Sequence, residues 1–155
     1  MAARVDDLCD AAKAVIEAAA VANPLTSTTV SVSCDDLPDI DADDMAAGTL
    51  YVWIWWESYQ DGGAAARGID TTEYLLRFLI VQRYGTAGEP TTAWRRDRTA
   101  WVDTCVVEAL GDARDRLDGA YALSLDEVLY DQDELLERKL FWTRVAVTIR
   151  DERAA

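Results

Sequence analysis

The chain has 155 residues, of which 50% are hydrophobic and 28% are charged, and its formal net charge at pH 7 is −14. This composition is typical of one soluble globular domain covering residues 1–155. The excess of acidic residues argues against binding of duplex nucleic acid in a basic groove, because neutralising the phosphates requires clustered cationic side chains. No apolar run approaches the roughly 18–20 residues of a membrane span, and the first residues lack the basic region of a secretion signal. Neither membrane insertion nor secretion is expected.

The first third of the sequence predicts one helix and one strand. Apolar residues recur at helical spacing over residues 5–22, and Asn23-Pro24 supplies a stop. Residues 28–34 alternate valine and cysteine with threonine and serine, which predicts a strand with one buried face. The acidic residues 35–44 then follow as a loop.

Residues 50–59 are the most informative segment, because they carry three of the six tryptophans and are apolar on both alternating faces. A sheet containing such a strand needs cover on both sides. Two or three helices can cover one side, so the other is expected to meet a partner, unless the strand lies in the two-sided core of a monomer. Alternation points Tyr51, Trp53, Trp55 and Tyr59 to one face, and Val52, Ile54 and Trp56 to the other.

A second long strand is predicted at residues 72–84, and it forms a hairpin with the tryptophan-rich strand. The small-residue segment 60–70 between them is interpreted as a long loop that orders only on a partner. Helical spacing then predicts a second helix at residues 94–117, started by Thr91 or Thr92 and ended at Gly119.

The last part of the chain completes the sheet. Residues 125–139 fit either a strand or a short helix, and alternation predicts a closing strand at residues 141–150. The elements then follow the order α-β-β-β-α-β. The predicted fold class is α+β: a mostly antiparallel sheet of about four to five strands, with a long hairpin, packed against two helices.

The sequence lacks the residues that most catalytic and metal sites need. It contains no histidine, which excludes His-activated nucleophiles and His-containing zinc sites, and no glycine-rich phosphate loop. Cys9, Cys34 and Cys105 are odd in number and far apart, so we expect buried free thiols, with no disulfide and no metal. No enzyme activity and no cofactor are expected.

Two acidic features of the sequence allow alternative interpretations. Asp39, Asp41 and Asp43 match the first three ligand positions of a calcium loop, but Asp44 and Leu50 occupy the positions that require glycine and glutamate. A looser divalent site, such as that of a metal-dependent hydrolase, stays open for this acidic run. Glu57 and Glu73 could also face each other across the hairpin as acid and base, without a visible substrate pocket.

The basic residues cluster in one place. Arg95, Arg96 and Arg98 lie near the start of the second helix, where they are expected to form a solvated or interface-facing helix turn.

Taken as a pattern, the chain resembles the tail terminator proteins of long-tailed bacteriophages, a group close to the tail completion and head-tail joining proteins. The resemblance spans the N-terminal helix, the first strand with its acidic continuation, the hairpin, the single long helix and the closing strand. No short signature motif defines the family, so no functional residue is transferred by position.

The resemblance implies a structural virion subunit of the neck. Such a subunit forms a homo-oligomeric ring, expected to be a hexamer, that caps the major tail tube protein and joins it to the head-tail connector protein. It assembles in the host cytoplasm, and DNA passes through the lumen without specific binding. The expected subunit or partner contacts are Trp53, Trp55, Tyr59, Asp61, Arg67, Arg95 and Arg96. Another neck protein, such as a head-tail stopper or head completion protein, and a monomeric acidic protein-binding module remain alternatives.

Overall fold

The computed structural model describes residues 2–34, 45–66, 69–86, 88, 90–113, 117 and 119–154. Its five strands form one open sheet in the order β1-β2-β3-β5-β4, with β1 parallel to β2 and every other pair antiparallel. The predicted α+β class is confirmed. The elements are α1 (Ala2–Ala22), β1 (Thr29–Ser33), β2 (Thr49–Ala66), β3 (Ile69–Arg83), α2 (Thr92–Val102), a π-helical segment (Asp103–Glu108), α3 (Ala109–Gly111), β4 (Tyr121–Tyr130), α4 (Gln132–Arg138) and β5 (Leu140–Ala154).

The main core lies between one face of the sheet and the helical layer of α1, α2 and the π-helical segment. Alternate residues enter this core over residues 50–54 of β2, 74–80 of β3 and 145–149 of β5, as the alternation of their sequences predicts. No helix in the described part of the chain is long and apolar enough to cross a membrane. The largest completely buried side chains of the core include Leu8, Ile16, Leu50, Ile54, Leu76, Phe78, Ile80, Leu110 and Ile149.

The second helix begins as predicted but ends early. The Thr91 hydroxyl accepts a hydrogen bond from the Trp94 amide at 3.1 Å, which caps the helix start. The helical run ends at Gly111, so the predicted extension to residue 117 is wrong. A π-helical segment takes up part of the run, and such segments pair residues five apart. Trp101 and Val106 therefore share the buried face.

The hairpin tip differs most from expectation. The segment 60–70 was predicted to be an unpaired loop, but β2 runs to Ala66 and β3 begins at Ile69. The register is adjusted by irregularities between Asp61 and Gly63 and between Ala64 and Ala66. β5 also runs the full length of β3, pairing Ile69 with Ala154. Backbone hydrogen bonds to β2 and β5 therefore hold this end of β3 in the sheet, although the segment has few large apolar residues.

The ambiguous segment 125–139 contains both candidate structures. β4 begins earlier, at Tyr121, and forms an edge of the sheet, while α4 follows it directly. The Asp131 carboxylate caps α4 by accepting a hydrogen bond from the Glu134 amide at 3.1 Å. The predicted element order therefore lacked one strand and one short helix.

Arg98 corrects the expectation that all three clustered arginines face solvent or an interface. It is buried, with 6% of its surface exposed. Its guanidinium donates hydrogen bonds to Gln82 Oε1 at 2.9 Å and to Thr28 Oγ1 at 3.1 Å, and it lies 4.5 Å from the centre of the Trp94 ring. Burial lowers the pKa of Arg98. This residue therefore ties α2 to the sheet.

The three cysteines are free thiols, and Cys9 and Cys105 are buried. Burial raises the pKa of Cys9 to about 12 and that of Cys105 to about 11. An unfolded thiol has a pKa of about 8.5, so the unfolded chain ionises first as the pH rises. The contribution of these thiols to stability is complete below about pH 8.5 and is lost between there and the folded values.

We therefore expect the free energy of unfolding to fall between pH 8 and pH 10, as measured by urea denaturation. Cys9→Ala should reduce this pH dependence, because it removes the thiol with the larger pKa shift. An unchanged pH dependence in Cys9→Ala would contradict the assignment.

Candidate protein-protein interface

The sheet face opposite the helices, here called the open face, carries a second apolar cluster. Leu79, Val81 and Leu140 are buried there, together with Met45. They are covered by half-buried aromatic residues, here called the aromatic strip: Tyr51, Trp53, Trp55 and Trp142. The rings of Tyr51 and Trp53 are parallel, with centroids 5.4 Å apart.

Strand register explains why these rings are neighbours. Tyr51 pairs with Val81, and Val81 pairs with Trp142 on its other side. Paired residues of adjacent strands point to the same face, so Tyr51 and Trp142 flank Val81. The next row of the open face pairs Trp53 with Leu79 and Leu79 with the exposed Arg144, and it continues to Leu129 on the edge strand β4. The aromatic strip therefore crosses three strands.

The other half of the open face is charged, and its charges pair with one another. The Arg77 guanidinium binds the Glu57 carboxylate and also donates to Glu127 at 3.1 Å. Hydrogen bonding to Glu57 is the main cause of the raised pKa of Arg77. Arg150 donates to Glu73 at 2.6 Å. Because these ionic groups satisfy each other, the aromatic strip is the part of the open face with the most to gain from a partner.

A cleft of about 430 Å³ lies beside the aromatic strip, between α2, the end of β4 and α4. We call it the arginine cleft. Its apolar lining comes from Leu135, Phe141 and Trp142, and its basic wall is formed by Arg95 and Arg96. Trp142 belongs to both surfaces, so the cleft and the aromatic strip are continuous.

The two carboxylates that line the arginine cleft, those of Asp103 and Asp131, already accept hydrogen bonds from within the fold. Asp103 accepts a hydrogen bond from the Tyr130 hydroxyl at 3.2 Å. Burial, and then the Asp103 charge, raise the pKa of Tyr130 to about 12, so that its hydroxyl stays protonated. Asp131 caps α4. Neither Arg95 nor Arg96 forms an ion pair with a carboxylate within the described ranges.

Four of the seven residues predicted as contacts lie close together. Trp53 and Trp55 lie in the aromatic strip, and Arg95 and Arg96 line the arginine cleft, so these four belong to one continuous surface.

Tyr59 and Asp61 are placed only by their backbone, in the distal half of β2 opposite Tyr74 and Thr72. A register irregularity between Trp56 and Ser58 interrupts the alternation that was extended from Trp53 to Tyr59. Arg67 lies outside the described residues.

Sequence reasoning missed Trp142 and Leu79. The alternation of residues 141–150 was used only to assign the buried face, although it also sends Trp142 to the opposite face. The same reasoning that identified Trp53 could therefore have identified Trp142. Leu79 carried no such signal, because β3 is apolar on both faces and its order in the sheet was unknown.

The alternative acid-base pair does not form. Glu57 and Glu73 are each bound to a different arginine, Arg77 and Arg150. Among the described residues no three Cys, Asp or Glu side chains come together as a metal site. The acidic run 35–44, for which a divalent site was weighed, lies outside the described residues.

Searches against known protein families and against curated proteins both gave no match.

Proposed function

We propose that this chain is a structural subunit of a phage neck: a tail terminator that forms a ring, caps the tail tube and joins it to the head-side connector. The observation that carries the proposal is the aromatic strip on the face of the sheet that the helices leave uncovered. A ring interface joins two different patches of one chain, and the continuous surface of aromatic strip and arginine cleft supplies one such patch.

The charge of the chain suits the same role. With a net charge of −14 per subunit, a ring would carry a large excess of negative charge, which disfavours tight binding of the phosphate backbone. A duplex would slide through an acidic lumen because the two repel each other. The proposed role therefore needs no catalytic group and no cofactor, and its partners are other copies, the tail tube protein and the connector protein.

Light scattering and electron microscopy of the purified chain, alone and with tail tube protein, test this proposal. The expected result is a ring with a closed symmetry that seals the end of the tube. A protein that stays monomeric in both samples would favour a monomeric binding module instead. A ring that binds only the connector would favour another neck position.

Trp53→Ala is expected to weaken self-association by about 30- to 1,000-fold, corresponding to roughly 2–4 kcal/mol for a buried aromatic contact. Sedimentation velocity over a concentration series measures the change. Trp56→Ala is the matched control, because Trp56 lies in the same strand, is 43% exposed and faces the helical side.

Melting temperatures of both variants report whether the fold is kept. Equal association of the two variants would show that the aromatic strip is not the contact. Loss of association in Trp56→Ala alone would place the contact on the opposite side of the hairpin.

A further inference from the structure

We infer that the arginine cleft receives residues 35–44 of a neighbouring copy, here called the acidic segment; this inference rests on the proposed self-association. The acidic segment contains six aspartates and no cation, together with Leu37, Pro38, Ile40 and Ala42. It is therefore an acidic peptide with interspersed apolar residues. Its own conformation lies outside the described residues, and the inference uses only its chemistry.

The cleft matches that chemistry in two respects. Arg95 and Arg96 stand on one wall without a carboxylate partner among the described residues, so they can form charge-assisted hydrogen bonds with aspartates. Leu135, Phe141 and Trp142 give the cleft an apolar lining that suits side chains such as Leu37 and Ile40. Asp103 and Asp131 also line the cleft, but each already accepts a hydrogen bond from within the fold.

The charge of the whole chain favours an occupant from a second copy. Copies that each carry −14 repel one another, so a stable contact between them gains most where a cationic wall meets an acidic segment. A closed ring also requires two different complementary patches on one chain. The arginine cleft and the acidic segment form such a pair, and the aromatic strip extends the contact through Trp142.

The test exchanges charges between the two patches in the full-length chain. The cleft variant carries Arg95→Glu and Arg96→Glu. The segment variant carries Asp36→Arg, Asp39→Arg, Asp41→Arg and Asp43→Arg, which changes the net charge of the acidic segment from −6 to about +2, and the combined variant carries all six changes. Arg95 is half-buried and Arg96 is exposed, so folding is expected to be kept, and melting temperatures check this. Lys13→Glu is the charge control, because Lys13 is a half-buried cation on α1, on the side of the sheet away from the open face and outside the cleft.

Each of the two variants alone is expected to lose self-association, because its cleft and its segment then carry like charges. Their equimolar mixture should recover it, since each cleft then meets an opposite segment on the other chain. The combined variant should also associate, and Lys13→Glu should behave as wild type. Recovery in the combined variant without recovery in the mixture would show that a chain binds its own segment, which overturns the inference.

A peptide assay makes the outcome independent of ring formation. A peptide of residues 33–46 should bind the segment variant at least about tenfold more tightly than the cleft variant, and added salt should weaken binding. Equal or absent binding to both overturns the inference. If wild type is monomeric, the proposed function fails; if wild type and all variants form the same ring, only the present inference fails.

Discussion

Trp101→Ala is expected to lower the free energy of unfolding by about 3–5 kcal/mol, a large part of the roughly 5–15 kcal/mol that stabilises a typical domain. Trp101 is 4% exposed and packs in the main core where α2 continues into the π-helical segment. Removing its ring leaves a cavity between the helix and the sheet, and neither element can move far enough to fill it. Urea denaturation followed by far-ultraviolet circular dichroism measures the loss.

Two further variants separate cavity formation from other effects. Trp101→Phe should cost much less, about 1 kcal/mol, because it keeps an aromatic ring and removes a buried indole nitrogen that has no hydrogen-bond partner in the described structure. Asp97→Ala, at an exposed position of the same helix, should change stability by no more than about 0.5 kcal/mol. Stability unchanged in Trp101→Ala would mean that the buried face of this helix is misassigned.

Asp151→Asn is expected to cost about 3–5 kcal/mol, because it removes one charge of a buried ion pair. The Arg4 guanidinium donates two hydrogen bonds to this carboxylate, at 2.9 and 2.8 Å, and joins the start of α1 to the end of β5. Both side chains are more than 90% buried. Thermal and urea denaturation would show the loss as an earlier cooperative transition.

A surface ion pair provides the control for this substitution. Arg138 and Glu134 pair at 3.0 Å one helical turn apart in α4, where water screens them, so Glu134→Gln should cost about 0.5 kcal/mol or less. Replacing both buried partners, with Arg4→Met and Asp151→Leu, should recover most of the loss, because apolar side chains then take the place of the buried ion pair. Similar costs for Asp151→Asn and Glu134→Gln would contradict the importance of burial.

Much of the fold could be predicted where one physical signal dominated. Alternation in β2 predicted that Val52 and Ile54 point to one face and Trp53 to the other, and the structure agrees. The helix start was predicted at Thr91 or Thr92, because a threonine hydroxyl can accept a hydrogen bond from a free amide there, and Thr91 is the cap. Such signals are local, so they do not depend on which other segment packs nearby.

Three features depended on contacts that are distant in sequence. The hairpin tip is paired because β5 lies alongside β3 as far as Ala154, which the small residues of the tip do not reveal. Arg98 is buried because Gln82 and Thr28 provide acceptors for its guanidinium. The helical run ends at Gly111, although apolar spacing continues to residues that are buried in turns.

The candidate interface, like the fold, could be predicted from local sequence only in part. The sequence by itself determined that one strand is apolar on both faces and that a cluster of arginines begins the second helix, because these are properties of neighbouring residues. Only the tertiary structure decided that Trp142 joins the two into one surface, since β5 pairs with β3 across a separation of about 60 residues in the chain. Strand order and register are set by packing between distant segments, and no local pattern encodes them.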